Sequence, residues 1–160
     1  MNKLLILGSI AFDQIETPFG KSNAIMGGSA NYIALAAAQF EVPSAVVSIV
    51  GDDYPQDYLN LLTQRHIDVS GIEIVHGGKT LFWSGKYRND MNQRDTLDTQ
   101  LNVLANFKPV VPEAFRNAEV LLLGNLHPTL QMDVLDQMLS RPKLVVMDTM
   151  NYWMNHTWDL

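Results

Sequence analysis

Four runs of almost uninterrupted apolar residues constrain this chain most: KLLILGS (3–9), SAVVSIVG (44–51), EVLLLGN (119–125) and KLVVMD (143–148). A strand with one wet face alternates polar with apolar residues. A strand that is apolar at nearly every position needs cover on both faces, as the strands of a parallel sheet have between two layers of helices. Helical periodicity fills the intervals, at 29–40, 55–67 and 128–140. Strand and helix therefore alternate, which predicts βαβ units with right-handed crossovers and an α/β parallel sheet. With 160 residues, 47% of them hydrophobic, the chain can build one such core.

Two segments break the rhythm. In 12–26, two short extended stretches flank the turn signal Pro18-Phe19-Gly20; in 72–99, Gly77-Gly78 separates two strand-like runs, the second carrying Phe82, Trp83 and Tyr87. Both read as β material outside the main sheet, forming a small sheet over one end of the domain. Asp148 falls at the carboxyl end of a strand, where open α/β sheets bind ligands. Only a short tail follows it, so the last strand is expected to keep an unpaired edge and an uncovered face.

A net charge of −6 and a pI near 5.0 argue against nucleic acid or an anionic membrane as partner. The absence of cysteine excludes disulfides and thiolate metal sites, and with no signal-like start the cytoplasm is the expected location. His66, His76, His127 and His156 have no metal-binding spacing, so no metal site is expected. FGKS (19–22) is not a phosphate loop, because Ile15 stands where that motif needs glycine. No G-x-S-x-G occurs to start serine hydrolase chemistry. In VGDDYP (50–55), Asp52 and Asp53, with Asp57, are expected to cap the following helix, Pro55 to enter its first turn, and Arg65 and His66 to complement its far end.

The run MGGSANYIALAAAQF (26–40) admits two readings. Gly27-Gly28 ends a strand in a tight turn and Ser29 caps the helix, or the glycine pair lets a ligand reach bare main chain at a helix start. The alanines suit either, since small side chains let a helix press on a sheet. Asp13, a lone carboxylate after the first strand and Gly8-Ser9, is either a solvated loop residue or part of a site at that same sheet end.

Taken in order, LGSIAFD (7–13), MGGSANYIALAAAQF (26–40), SIVGDDYPQDYLNLLTQRHIDVSGI (48–72), KTLFWSGKY (79–87), VLLLGN (120–125) and LVVMD (144–148) resemble the ribokinase-like, or PfkB, carbohydrate kinases over essentially the whole chain. The resemblance implies a Rossmann-type parallel sheet with flanking helices and a small β lid. It implies transfer of the ATP γ-phosphoryl group to a hydroxymethyl group of a sugar, nucleoside or related alcohol, with ATP and Mg²⁺ serving the complete enzyme. It assigns substrate binding to Asp13, Gly27, Gly28, Asn31, Tyr32 and Asn125, and the phosphate side to Asp148 and Asn151. Phe82, Trp83 and Tyr87 would either pack the lid or stack on the ligand.

Departures from the family pattern are specific. Tyr32 occupies the place of the usual asparagine, with Asn31 one residue early; Ala11 replaces an asparagine, and Glu41 a glycine; Asn151 falls one residue late. Sugar, nucleoside and sugar phosphate all stay open as substrates. The family's Gly-Ala-Gly-Asp motif, which supplies the anion hole and the catalytic base, cannot follow Gly124, the last glycine. The expectation is therefore an amino-terminal, substrate-side portion (1–160) with lid segments at about 12–26 and 72–99, inactive alone because base, anion hole and nucleotide pocket are lost together. The alternative is a non-catalytic half-kinase module that binds a polyol or pairs lid to lid as a homodimer.

Overall fold

The structure, a computed structural model, describes residues 4–159. Lys3, the first residue of the expected opening strand, lies outside them. The opening run becomes β1 (Leu4–Leu7), the middle strand of a five-stranded sheet. After it come β2 (Ala11–Thr17), β3 (Gly20–Lys21), β4 (Ile25–Gly27), α1 (Ser29–Ala38), β5 (Ser44–Gly51), α2 (Gln56–Gln64), β6 (Ile67–Val75), β7 (Leu81–Tyr87) and β8 (Arg94–Gln100). Two 3₁₀ turns (Asn102–Asn106, Glu113–Phe115) lead to β9 (Val120–Leu123), α3 (Pro128–Asp136), β10 (Leu144–Met147) and α4 (Asn151–His156).

The main sheet runs β10-β9-β1-β5-β6, with every neighbouring pair parallel. Alternation along β1 serves two cores. Leu5 and Leu7 pack with Phe107, Val111, Phe115 and Val134 on one face, while Leu4 and Ile6 pack with Ala30, Ala34, Leu59 and Leu62 on the other. Helices α1 and α2 cover the second face, and α3 with the 3₁₀ turns covers the first. Ala30 and Ala34, both 0% exposed, let α1 lie close to β1, where a side chain on Gly8 would strike the Ala30 backbone. Among the described residues no helix is long and apolar enough to cross a membrane.

A second sheet, β3-β2-β7-β8 with β4 also on β2, stands over the carboxyl end of the first. Strands β2 and β7 are parallel; β3, β4 and β8 pair antiparallel with their neighbours. This is the small β lid, with one correction. Residues 72–75 belong to β6, which pairs parallel with β5 in the main sheet, so the lid segment begins only after the Gly77-Gly78 turn. An edge strand of the main sheet alternates wet and dry as a lid strand does, so its pattern could not tell the two apart.

The two adjacent aspartates also differ from expectation. Pro55 is the N-cap of α2, no side chain caps it, and Asp57 lies in the first turn. Asp52 instead accepts the Gly77 N–H (2.8 Å), and Asp53 accepts both the N–H (2.8 Å) and the hydroxyl (2.7 Å) of Thr80. Thr80 Oγ1 in turn accepts the Gly51 N–H at 3.0 Å, and its carbonyl accepts from Asn102 at 2.9 Å. The pair pins the base of β7, where the lid leaves the core. Asp53→Ala would strand two donors of a residue that is 1% exposed, which costs on the order of 1–3 kcal/mol. Urea titration should show that loss, with Asp53→Asn intermediate; an unchanged midpoint would mean that the Thr80 donors find other partners.

Candidate functional site

The site is assembled where β1 ends. Ser9, just past that strand, bonds the start of α1 on both sides: its Oγ accepts the Ser29 N–H (3.2 Å), its carbonyl accepts the Ala30 N–H (2.9 Å), and its own N–H donates to Ser29 Oγ (3.2 Å). Ser29 is thus not the cap. Gly28 is the N-cap residue without a side chain to offer, so Ser9 satisfies the first helical amides from outside the helix.

Asp13 lies on β2, paired with Ile25 of β4 and two pairs along from the Ala11–Gly27 pairing. A Cβ built on Gly27 would come within 2.2 Å of Asp13 Cγ, so the carboxylate fills the space that the missing side chain leaves. Gly28 has φ +90°, where other residues are strained, and a Cβ there would lie 2.3 Å from the Ser9 carbonyl oxygen. The glycine pair therefore lets the chain's own carboxylate and turn close in. Asp13 is half-buried; burial pushes its pKa up, and a hydrogen bond from the Gly28 N–H opposes that rise.

Tyr32, 57% exposed, stands at the rim, its hydroxyl donating to the Met26 carbonyl at 3.4 Å. Partial burial, then the nearby Asp13 and Tyr87, push the phenol pKa up. Asn31 departs from the expected substrate contact. It is 1% exposed and faces inward, its Nδ2 donating to the Gly27 carbonyl (2.6 Å) and the Tyr54 hydroxyl (3.1 Å). One residue along a helix turns a side chain by about a quarter of the circle, which puts Tyr32 at the opening and Asn31 in the core. Tyr54 packs between Phe12 and Tyr58, and burial pushes its pKa up to about 12.

No family model matches the chain. A cytidine kinase of Thermococcus kodakarensis is 26% identical over 141 residues, which is 88% of this chain and 50% of that protein. Among solved structures, a nucleoside kinase of Methanocaldococcus jannaschii, described as an archaeal member of the ribokinase family, aligns over 92% of this chain and 52% of its own with TM-score 0.75 and 21% identity. The Burkholderia thailandensis nucleoside kinase in complex with inosine aligns over 84% of this chain and 48% of its own, with TM-score 0.71 and 17% identity. The fold is ribokinase-like. The chain spans about half the length of the relatives it matches.

Within this ribokinase-like fold the other expected residues sit at the same carboxyl end of the sheet. Gly124 abuts Gly8 and Ser29, which brings Asn125 beside the Ser9 turn, but Asn125 Oδ1 already accepts the Trp153 indole N–H at 2.9 Å. Asp148 is exposed after β10; its amide donates to the Leu123 carbonyl and its carbonyl accepts from Gln131. Asn151, also exposed, opens α4. Phe82 and Trp83 point to opposite faces of the lid. Phe82 pairs with Phe12, whereas Trp83 pairs with Asp13 and lays its ring over Gly85, with the Arg94 guanidinium 5.5 Å from the ring centre.

Sequence reading missed Ser9, Tyr54 and Gln131. Gln131 is 3% exposed and ties the carbonyls of Leu123, Gly124 and Asp148 together. Ser9 and Gln131 signalled only as polar residues beside apolar ones, and Tyr54, among Asp52, Asp53 and Asp57, carried no such signal.

A raised carboxyl pKa has a definite consequence for stability. The unfolded chain ionises Asp13 near 3.8, the folded chain at a higher pH, so the stabilisation from a protonated Asp13 is complete below 3.8 and is lost as pH rises through the folded value. Asp13→Asn, whose amide oxygen still accepts from Gly28, should therefore raise the urea midpoint at pH 7. The gap should close as the pH falls past 3.8; a gap that persists at lower pH would assign the effect to packing instead.

Proposed function

We propose that this chain is the substrate-side part of an ATP-dependent kinase that phosphorylates the hydroxymethyl group of a nucleoside or sugar. One observation carries the reading: a half-buried carboxylate, Asp13, is held against the Gly27–Gly28 peptide at the carboxyl end of a ribokinase-like parallel sheet. A carboxylate accepts hydrogen bonds from two hydroxyls at once, so Asp13 would orient the vicinal hydroxyls of a ribose. Nucleosides are favoured over free sugars because Tyr32 sets an aromatic ring near Asp13, and because the named relatives include a cytidine kinase and a nucleoside kinase in complex with inosine.

When bound, ATP supplies the γ-phosphoryl group: the substrate oxygen attacks phosphorus, the bond to the β-phosphate oxygen breaks, and the hydroxyl proton passes to a base. Toward ATP this chain offers Asp148 and Asn151. An exposed carboxylate suits the magnesium complex of ATP better than bare phosphates. With no glycine after Gly124, base and phosphate cradle would come from outside these 160 residues. The exposed apolar side chains of β10, Leu144, Val146 and Met147, support the same reading, since a parallel strand normally has a covering layer.

Calorimetric titration of the chain with cytidine and inosine should give saturable binding, weakened about tenfold or more by Asp13→Asn, the expected loss for a charge-assisted hydrogen bond. Equal affinity of the variant would remove Asp13 from the site. A coupled ADP-release assay should show no nucleoside-dependent turnover by the isolated chain; turnover would overturn the assignment of the base elsewhere. Binding without turnover in every longer form of the protein would favour the non-catalytic module.

A further inference from the structure

The peptide unit between Gly27 and Gly28 is held at both of its polar ends. Its carbonyl accepts from Asn31 Nδ2 at 2.6 Å, and its N–H lies by the Asp13 carboxylate, which packs against Gly27 and whose pKa that N–H lowers. Glycines on both sides impose little barrier to rotating that unit, so local sequence does not settle which way it faces. Turned over, it would aim a carbonyl at the carboxylate, and like partial charges would face each other at contact distance.

We propose that Asn31 is a positioning residue: by anchoring the Gly27 carbonyl it selects the one orientation of the Gly27–Gly28 peptide that presents an N–H to Asp13. The inference rests on the reading of Asp13 as the substrate-orienting carboxylate. Asn31 acts through the peptide and touches no substrate.

Three further observations point the same way. Asn31 is an amide on the buried face of α1 with Ala30 and Ala34, where an apolar residue would satisfy packing alone. Its Oδ1 is buried without a hydrogen-bond partner among the described residues, a standing cost that an apolar side chain would avoid. Its second amide proton goes to Tyr54, whose ring packs between Phe12 on the lid and Tyr58 on α2, so the Nδ2 that holds the Gly27 carbonyl is itself fully bonded.

The test follows the Asp13 carboxyl carbon and the Gly28 amide by NMR across pH in the wild type, Asn31→Ala and Tyr54→Phe. Tyr32 on α1 is the titratable group facing Asp13, and it ionises far above the range scanned; Trp83 on β7 is the uncharged register neighbour. In the wild type the Gly28 amide proton should move with the Asp13 titration. In Asn31→Ala the Asp13 carboxyl should titrate at higher pH, because a hydrogen bond to its charged form is lost, and the Gly28 amide should cease to follow it. Tyr54→Phe keeps the bond to Gly27 and should leave both signals in place, which a general loosening of the core would not do.

A folded Asn31→Ala with an unchanged Asp13 titration overturns the proposal. So does a wild-type Gly28 amide that ignores Asp13, a result that needs no variant to fold. Cytidine titration of Asn31→Ala should show weakening comparable to Asp13→Asn. If the wild type binds no cytidine or inosine, the functional reading fails while the NMR result still decides the clamp.

Discussion

Burial of β1 on both faces is the constraint from which the architecture follows. Leu5, Ile6 and Leu7 are each 0% exposed, and successive side chains point to opposite sides of the sheet. Neither side can face water, so α1 and α2 must close one and α3 with the 3₁₀ turns the other. Parallel neighbours on both edges then bring the carboxyl ends of β1, β5, β9 and β10 to one end of the molecule. Ser9, Gly51, Asn125 and Asp148 meet there because the strands that precede them are buried, whatever those residues do afterwards.

At that end the lid and core are joined by groups whose polar atoms are nearly all spoken for. Asp53 and Thr80 fasten the base of β7, and Ser9 and Ser29 fasten the start of α1 to the turn leading into β2. Asp13 is the contrasting element. Its carboxylate is half-buried, and desolvation outweighs the opposing effect of the Gly28 N–H, so its ionised form is disfavoured where its neighbours are satisfied. That carboxylate sits at the carboxyl end of a ribokinase-like sheet.

Elements with strong periodicity were legible in the chain. The four apolar runs, the alanine-rich helix and the turn at Pro18-Phe19-Gly20 all stand where their patterns put them. Gly27-Gly28 was legible as a close approach, but not as an approach by Asp13, since thirteen residues of lid hairpin (14–26) separate Asp13 from Gly27. Asp52 and Asp53 were misread as caps for a related reason. Carboxylates before a helix cap it in most local contexts, and only the arrival of Gly77 and Thr80 from another strand drew them away. Residues 72–75 alternate as either an edge strand or a lid strand would, and pairing with β5 decided between the two.

The amino-acid sequence by itself determined the double-faced sheet, the helices that cover it and the likeness of its ordered motifs to ribokinase-like kinases, because hydrophobic periodicity is a local property that burial obeys. Tertiary structure alone decided that Asn31 turns inward and Tyr32 outward, that Ser9 rather than Ser29 satisfies the helix start, and that Asp13 rests on Gly27. Those outcomes depend on which polar atoms from distant strands arrive within hydrogen-bond reach. A side chain's neighbours along the chain carry no record of that distance.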